Sequence, residues 1–556
     1  MSFRKLLVFV FVITVFQGVA QIAPTKYYVQ FTDKNNSPYS LDHPEDFLSQ
    51  RAINRRSNQG IGYDATDIPV NPQYISGVAA TGVQILNPTK WMNGVTVKTD
   101  NPALIDSINT LPYVVNVRSV SGSARNVSKP FFDRESFGPS EKAKELATGN
   151  NAYSFDYGDA FGQINLINGI PLHEAGYRGE GMVIAVLDAG FDYVDVDMLF
   201  DSLRNDGRIL GTKDFVTPGG NVYNAHYHGR MVLSTMAADI PGLMIGTAPK
   251  ASYWLLRSEN GSQEYVSEEY NWVSAAEFAD SAGADVINSS LGYTEFDDTS
   301  QNHTYADMDG NTTVITNGAD MAAAKGILVV NSAGNSAEDP WHYIGAPADG
   351  DSVFSIGAVD NNGSYAYFSS TGPTADGRIK PNVAATGWGA AVSDGANGVF
   401  FGNGTSFSSP IIAGMSACLW QAMPEKSNME IQQAIMQSAS QYYNPDSLLG
   451  YGIPNYQSAW WLLTSIDSNK DNNSGLATVY PNPFNNSLYV KLSGSNQGTV
   501  QATIFNMVGS VVYSKLLSAP VTILSFNSLP DIMHKGLYIM KLSSEKQVQT
   551  IKLVKR

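Results

Sequence analysis

The chain has 556 residues, of which 43% are hydrophobic and 15% charged, and it carries a formal net charge of −16. This length predicts two to four domains, and the apolar side chains suffice for a large core, which argues against disorder of the whole chain. Phosphate binding requires clustered Lys and Arg, so the acidic balance excludes nucleic acid as a partner.

Residues 1–20 predict a secretory signal peptide. Arg4 and Lys5 form its charged start, residues 6–16 are apolar, and residues 18–20 are the small residues of a cleavage site. The apolar run is too short for a membrane helix, which needs about 20 residues. We therefore expect no membrane span in the mature protein.

Residues 21–122 predict a small α+β unit. Alternating residues at 27–31 predict a strand, residues 44–56 predict a helix, and further short strands are predicted at 84–86, 95–97 and 113–117. From 123 to 158 the chain becomes polar and charged, which is typical of an exposed linker. We expect a processing site in that linker.

Residues 159–466 predict an α/β domain. Apolar runs without polar alternation, typical of strands buried on both faces of a parallel sheet, occur at 182–187, 252–256, 285–288, 327–330 and 353–359. Helical segments such as 272–282 and 318–325 separate them. Polar residues at the strand ends are therefore candidates for a catalytic site.

The end of the chain has a different pattern. Residues 467–474 form a polar linker, and residues 475–556 hold six short apolar runs at near-regular spacing, which favours a small β-sandwich. The single cysteine, Cys418, excludes an internal disulfide and is predicted to be a core residue because its neighbours are apolar.

Three segments of the α/β domain supply the parts of an activated nucleophile. Asp188 ends the first strand, His228 begins a helix-like run, and Ser406 precedes the apolar helix predicted at 409–422. A carboxylate can orient an imidazole, which can activate a hydroxyl. The N-terminus of a helix also places free N–H groups beside the serine.

Each of these residues has a simpler interpretation on its own. Asp188 is a common turn former, His228 can lie at a helix cap in solvent, and Ser406 can cap the helix that follows. His226 is a rival base, and the two histidines also allow a metal site, although no carboxylate or thiol at ligand spacing supports one. Asn335, after the strand at 327–330, offers an amide donor to the same cleft and favours the catalytic interpretation.

These residues resemble the subtilisin-like serine peptidases. The matching segments lie at 186–190, 228–229, 286–292, 333–335, 380–385, 404–410 and 450–452. The order Asp, His, Ser along the chain is that of the family. The resemblance implies a subtilisin-like parallel sheet flanked by helices, with a small α+β prodomain before it and a C-terminal β-sandwich.

The resemblance also implies the role of each matching residue. Ser406 would be the nucleophile, His228 the general base and acid, Asp188 the orienting carboxylate and Asn335 an oxyanion donor. The backbone at Ser290, Leu291 and Gly292 would pair with an extended substrate, and Ala333 and Gly334 would also contribute to substrate binding.

The chain departs from the family pattern near these residues. Arg230 and Met231 replace the usual Thr and His, and Phe407 and Ser408 replace the usual Met and Ala. The calcium loop of the family is not recognisable after the His228 helix. Asp197 is one possible ligand, and we expect a reaction that requires no cofactor, with structural calcium left open.

The two flanking regions resemble segments that accompany secreted peptidases. Residues 21–122 are similar in position to an inhibitory prosegment. The segments at 479–484, 536–539 and 552–556 resemble the sorting domain of the type IX secretion system of Bacteroidota. This resemblance implies export through the periplasm and then secretion or attachment to the outer-membrane surface, with the sorting tail cleaved.

The leading hypothesis is a secreted serine endopeptidase made as a zymogen, acting on proteins or peptides through an acyl-enzyme. Two alternatives remain. One is a catalytically silent binding or adhesion protein on a peptidase fold. The other is a peptide ligase, which would share the acyl-enzyme.

Overall fold

The structure is a computed structural model that describes residues 25–122, 136–137, 153–464, 476–480, 482–484, 487–492, 499–506, 510–517, 521–525, 533–544 and 548–555. The predicted signal peptide, most of the predicted linker at 123–158 and the linker at 467–474 lie outside these residues. The chain divides into two compact units, residues 1–460 and 461–556.

The predicted prosegment forms an antiparallel sheet with three helices. Its elements are β1 (Lys26–Phe31), α1 (Gln50–Asn58), α2 (Pro72–Ala79), β2 (Gln84–Thr89), β3 (Gly94–Lys98), α3 (Ala103–Asn109) and β4 (Val114–Ser119), and the strand order is β2-β3-β1-β4. The predicted helix at 44–56 is divided: a 3₁₀ turn covers Pro44–Asp46, and α1 begins after Ser49. The Ser49 hydroxyl accepts a hydrogen bond from the N–H of Ala52, a side-chain cap that starts a new helix at this point.

The next elements lead into a seven-stranded parallel sheet. In chain order they are β5 (Ser136–Phe137), α4 (Phe161–Leu166), α5 (Ile170–Glu174), β6 (Val183–Asp188), α6 (Asp201–Asn205), β7 (Ile209–Asp214), α7 (His228–Ala237), β8 (Asp239–Ile240), β9 (Met244–Ile245), β10 (Ser252–Arg257), α8 (Ser267–Ala282), β11 (Val286–Ser289), α9 (Val314–Ala324), β12 (Leu328–Ser332), β13 (Phe354–Val359), β14 (Val383–Thr386), β15 (Trp388–Ser393), β16 (Val399–Asn403), α10 (Thr405–Ala422), α11 (Asn428–Ser438) and α12 (Tyr456–Thr464). The sheet order is β14-β13-β12-β11-β6-β10-β7.

The α/β prediction for this unit is confirmed, including all five predicted strands. Apolar residues of β6, β11 and β12 pack in one cluster with α8 and α9, while α7 and α10 also contact the sheet. β7 and β14 were not predicted. The order reverses at β6, which lies between β10 and β11, and a crevice at such a reversal is where α/β sheets place their sites.

The C-terminal unit is rich in strands, as predicted. Its strands are β17 (Ala477–Tyr480), β18 (Ser487–Leu492), β19 (Val500–Asn506), β20 (Val511–Leu517), β21 (Val521–Ser525), β22 (Gly536–Ser543) and β23 (Val548–Lys555). They form a sheet β17-β18-β21 and a sheet β20-β19-β22-β23, and apolar residues from both share one core. No helix in the described part of the chain is long and apolar enough to cross a membrane.

Candidate active site

Asp188 and His228 form a buried pair. Asp188 ends β6 and His228 begins α7, and His228 Nδ1 lies 2.8 Å from Asp188 Oδ1. The N–H of Ala189 donates to the same oxygen at 2.7 Å. The side chains of Asp188 and His228 are both fully buried. Because the ring binds Asp188 through Nδ1, Nε2 points away from the carboxylate.

Two glycines allow the strand end and the helix start to approach this closely. A Cβ on Gly229 would lie 2.3 Å from the carbonyl oxygen of Gly190. A Cβ on Gly190, whose φ is +155°, would lie 2.3 Å from the backbone nitrogen of His226. Glycine at both positions therefore lets the Asp188 segment pack directly on the His228 segment.

His226, the rival base, has a different environment. Its Nδ1 accepts a hydrogen bond from the N–H of His228 at 3.3 Å, and its ring stacks on Tyr227. Burial, together with the neighbouring His228, lowers the pKa of His226 to about 4. The hydrogen bonds to the Asp188 carboxylate from described residues come from His228 and Ala189.

Ser406 is the second residue of α10, so the helix begins earlier than the sequence predicted. Its side chain is fully buried, and Oγ has no hydrogen-bond partner among the residues that the structure describes. α10 packs on α7, and the ring of Phe407, the next residue, has its centroid 6.4 Å from that of His228. Ser406 thus lies at the same end of the sheet as the pair.

Asn335 is tied to the residue before Ser406. Its Oδ1 accepts hydrogen bonds from the backbone N–H of Thr405 at 2.8 Å and from the Thr405 hydroxyl at 2.9 Å. Its Nδ2 is buried and has no partner in the described part of the chain. The amide N–H₂ is therefore available to an oxygen that forms next to Ser406.

Two of the predicted substrate-binding residues, Ser290 and Gly334, contact Ser406 and the residue before it. The Ser290 hydroxyl donates to the carbonyl oxygen of Ser406 at 2.8 Å, and Leu291 offers its carbonyl oxygen to Asn331 Nδ2 at 3.0 Å. Gly334 has a φ of +112° and donates its N–H to the Thr405 hydroxyl at 3.2 Å. Ala333 is buried, and Gly292 is partly exposed.

Thr405 and Asn288, which were not among the predicted site residues, support this arrangement. Thr405 links Gly334 to Asn335, and Asn288 accepts a hydrogen bond from the Ser409 hydroxyl at 2.9 Å. Asn288 also donates to the Ser290 hydroxyl at 3.2 Å. The only sequence signal for Thr405 was its position beside Ser406.

Asp197, the possible calcium ligand, caps a short 3₁₀ helix. Its Oδ1 accepts the N–H of Leu199 and its Oδ2 accepts the Ser393 hydroxyl, so each oxygen already takes part in one hydrogen bond. Within the described ranges, the group of three carboxylates spaced for a metal ion lies elsewhere, at Glu259, Glu264 and Glu268.

The predicted prosegment docks on α8 through buried charges. The guanidinium groups of Arg55 and Arg56 and the ammonium of Lys90 all lie within 3.1 Å of the Asp280 carboxylate. The backbone N–H groups of Lys90 and Trp91 donate to Glu277 at 2.7 and 2.9 Å. Two carboxylates of one helix therefore contribute to the docking of the prosegment.

Family comparisons agree with this organisation. The model of the subtilase family matches residues 179–452, that of the peptidase S8 propeptide domain of Bacteroidota matches residues 26–131, and that of the secretion system C-terminal sorting domain matches residues 478–556. Subtilisin DY from Bacillus licheniformis is 30% identical over 303 residues, which cover 52% of this chain and 97% of that protein. The chain belongs to the subtilase family of serine peptidases.

Other relatives extend the similarity. A thermophilic serine proteinase from Bacillus sp. (strain AK1) is 27% identical over 424 residues, which cover 73% of this chain and 94% of the proteinase. Fervidolysin from Fervidobacterium pennivorans, described as a keratinolytic enzyme related to subtilisin, shares the fold with a TM-score of 0.51 at 17% identity, covering 97% of this chain and 77% of fervidolysin. The protein is thus a subtilisin-like serine endopeptidase with a propeptide. The sorting domain indicates a secreted or outer-membrane surface-attached protein.

Proposed function

We propose that the protein is a secreted serine endopeptidase in which Ser406, His228 and Asp188 act as the catalytic triad and form an acyl-enzyme. The observation that carries this proposal is the buried hydrogen bond of 2.8 Å between Asp188 Oδ1 and His228 Nδ1, at the end of the sheet where α10 begins with Ser406. The nucleophile, the base and the orienting carboxylate come from three separate elements.

The first step is the attack of Ser406 Oγ on the carbonyl carbon of the scissile peptide. His228 Nε2 takes the hydroxyl proton, because its Nδ1–H is donated to Asp188 and the other nitrogen is the basic one. The carboxylate stabilises the imidazolium that forms, and it does so without taking the proton itself.

The carbonyl oxygen becomes an oxyanion in this step. Asn335 Nδ2 donates to it from one side, and the N–H of Ser406 donates from the first turn of α10, where backbone N–H groups have no intrahelical partner. The positive end of the helix dipole favours the same negative charge.

Collapse of the tetrahedral intermediate completes the acylation. The C–N bond breaks, His228 gives its proton to the leaving amine, and the acyl group stays on Ser406 Oγ. Water then repeats the sequence: His228 removes its proton, the acid product leaves, and Ser406 regains its hydrogen. This chemistry needs no cofactor in our proposal.

We further propose that residues 1–20 direct export, residues 21–122 hold the enzyme as a zymogen, residues 123–158 contain the processing site, and residues 475–556 are the sorting tail. The buried ion pairs between Asp280 and the prosegment support inhibition by a tightly docked prosegment. The backbone at Ser290, Leu291 and Gly292 would bind the substrate residues that precede the cut.

The test uses the full chain and its Ser406→Ala variant, both incubated with a fluorophosphonate probe. We expect labelling and self-trimming of the wild type, and neither in the variant, by intact mass and N-terminal sequencing. An unlabelled wild type that still loses its prosegment would overturn the proposal and leave the binding-protein alternative. Ligated rather than hydrolysed products would indicate the ligase.

A further inference from the structure

The predicted linker contributes one described strand, and this strand lies beside the segment that leads into the proposed nucleophile. β5 pairs antiparallel with β16, which ends three residues before Ser406. In this register Ser136 lies opposite Asn403, and Phe137 lies opposite Gly402. The strand order is β15-β16-β5, so β5 covers an edge of β16 that would otherwise offer its N–H and C=O groups to an extended peptide.

β16 is held against the helix that carries Ser406. A Cβ on Gly402 would lie 2.6 Å from the Phe407 ring, so glycine at this position allows β16 to pack on the first turn of α10. On its other side, Asn403 Oδ1 accepts a hydrogen bond from the N–H of Gly389 at 2.8 Å. A strand paired with β16 therefore has a defined position relative to the serine.

The direction of β5 determines which of its ends faces the serine. β16 runs towards Ser406 and β5 runs the opposite way, so Ser136 lies at the Ser406 end of the pair. Three extended residues span at most about 11 Å, and paired strands lie about 4.8 Å apart. The chain that enters β5 can therefore reach Ser406 within about five residues, which span up to about 17 Å.

The prosegment ends at the same end of the parallel sheet. The carbonyl oxygen of Val120 accepts the N–H of Ser267 at 2.8 Å. A Cβ on Gly122 would lie 2.6 Å from the Tyr265 ring and 2.7 Å from Asp298. These contacts are made with segments that follow the carboxyl ends of β10 and β11, where the candidate active site also lies.

We propose that β5 positions the processing bond, which lies between residues 131 and 136, and that the pairing with β16 presents this bond to Ser406. This inference rests on the proposed function and narrows the processing site expected at 123–158. The match to the propeptide domain ends at residue 131, five positions before β5 begins. That boundary comes from sequence similarity and agrees with the reach calculated from the strand pairing.

The cut follows the proposed acylation. Ser406 Oγ bonds to the carbonyl carbon before the cut, the C–N bond breaks, and His228 gives its proton to the nitrogen that becomes the new N-terminus of the peptidase. Water then hydrolyses the ester, and the prosegment leaves with a new carboxyl terminus. Ser136 and Phe137 stay with the peptidase because they follow the cut.

The first experiment maps the cut in the full chain. The intact mass of the released prosegment gives its last residue, and N-terminal sequencing gives the first residue of the peptidase. We expect a cut between residues 131 and 136 in the wild type and none in Ser406→Ala. Insertion of Gly-Ser directly before Ser136 should leave the cut at the same number of residues before Ser136, because β5 keeps its place. The same insertion directly after Phe137 is the matched control and should not move the cut.

A second set of variants weakens the pairing itself. Ser136→Pro and Phe137→Pro each remove one backbone N–H from β5. Neighbouring positions of an antiparallel pair alternate between hydrogen-bonded and non-hydrogen-bonded, so at least one variant should slow self-processing about tenfold or more. Ala143→Pro, in the same linker but outside β5, should be processed at the wild-type rate. Thermal unfolding of each variant in the Ser406→Ala background checks that it folds, and the insertion variants give the readout if the proline variants do not.

The outcomes separate this inference from the proposed function. A Ser406-dependent cut outside residues 131–136 overturns the positioning by β5 and leaves the peptidase. A cut that stays after the same prosegment residue when the insertion precedes Ser136 does the same, as does processing of both proline variants at the wild-type rate. A chain that is never cut, or is cut equally in Ser406→Ala, overturns the proposed function and this inference with it.

Discussion

Asn335 Oδ1 accepts two hydrogen bonds from Thr405, one from its backbone N–H and one from its hydroxyl. An amide oxygen and nitrogen are told apart by their hydrogen-bond partners. The two donors of Thr405 therefore hold Oδ1 towards α10 and leave Nδ2 on the other side, where it is buried without a partner among described residues. Thr405, the residue next to the proposed nucleophile, thus orients the proposed oxyanion donor.

Replacing this donor tests the oxyanion role directly. Asn335→Ala should lower kcat by about 10²–10³-fold with little change in KM, because the lost hydrogen bond forms only in the transition state. Steady-state kinetics on a peptide substrate measure the effect, with the exposed Asn362→Ala as the control. A rise in KM at constant kcat would contradict the assignment.

Thr405 should act through Asn335. Thr405→Val removes the hydroxyl that donates to Asn335 and accepts from Gly334, so the amide loses part of its support. We expect kcat to fall about tenfold, as for one lost hydrogen bond. Thr405→Ser keeps the hydroxyl and should restore kcat. Equal losses of kcat in Thr405→Val and Thr405→Ser would indicate that the packing of this side chain, and not its hydroxyl, supports the site.

The two histidines should differ sharply. His228→Ala removes the ring that binds Asp188 and should lower kcat by more than about 10³-fold. His226→Asn should retain most activity, because the His226 ring is not bonded to Asp188 and its pKa near 4 leaves it neutral at working pH. Steady-state kinetics on both variants measure the two losses of kcat. A larger loss in His226→Asn than in His228→Ala would assign the general base to His226.

Asp280 should control the affinity of the prosegment. Asp280→Asn leaves the buried Arg55 and Arg56 without their shared carboxylate, and breaking a buried pair costs about 3–5 kcal/mol. We expect the inhibition constant of added prosegment to rise at least about 100-fold. Asp376→Asn, exposed and paired with Arg378, is the matched control. An unchanged constant would show that apolar contacts dominate docking.

Prosegment binding should also weaken as pH rises. Burial raises the pKa of Glu277 to about 7 in the docked state, against the opposing effect of Lys90. We expect the pKa of Glu277 to return towards about 4.3, the value of an exposed Glu, when the prosegment leaves, so docking should take up a proton. Binding is strongest below about pH 4.3, falls as pH approaches 7 and levels off above it.

This linkage predicts a loss of affinity of about 10²-fold between pH 4.5 and 7.5. Burial would raise the pKa of Asp280, but Lys90, Arg55 and Arg56 keep it below its usual value. The Asp280 carboxyl therefore titrates below this pH range. Titrating labelled prosegment into the Ser406→Ala peptidase measures binding without catalysis. Glu277→Gln should flatten the profile, and an equally steep profile in this variant would assign the effect to another group.

The sequence predicted the strands of the sheet because buried parallel strands are continuous apolar runs. β6 and β13 were located to within one residue of the predicted runs. β7 was missed because Ile209–Asp214 contains Gly211, Thr212 and Lys213, which break the apolar run at the edge of the sheet. The predicted helix at 44–56 is divided because the Ser49 side chain caps a new helix at this point. Such side-chain hydrogen bonds to the backbone compete with a continuous helix, and hydrophobic periodicity does not show them.

By itself the sequence determined the residue types and their order: a carboxylate after a buried strand, a histidine and a serine at helix starts, and an asparagine after another strand. These are local properties, set by periodicity and capping. Only the tertiary structure decided which side chains meet, because contacts such as His228 with Asp188 and Thr405 with Asn335 join residues 40 and 70 positions apart.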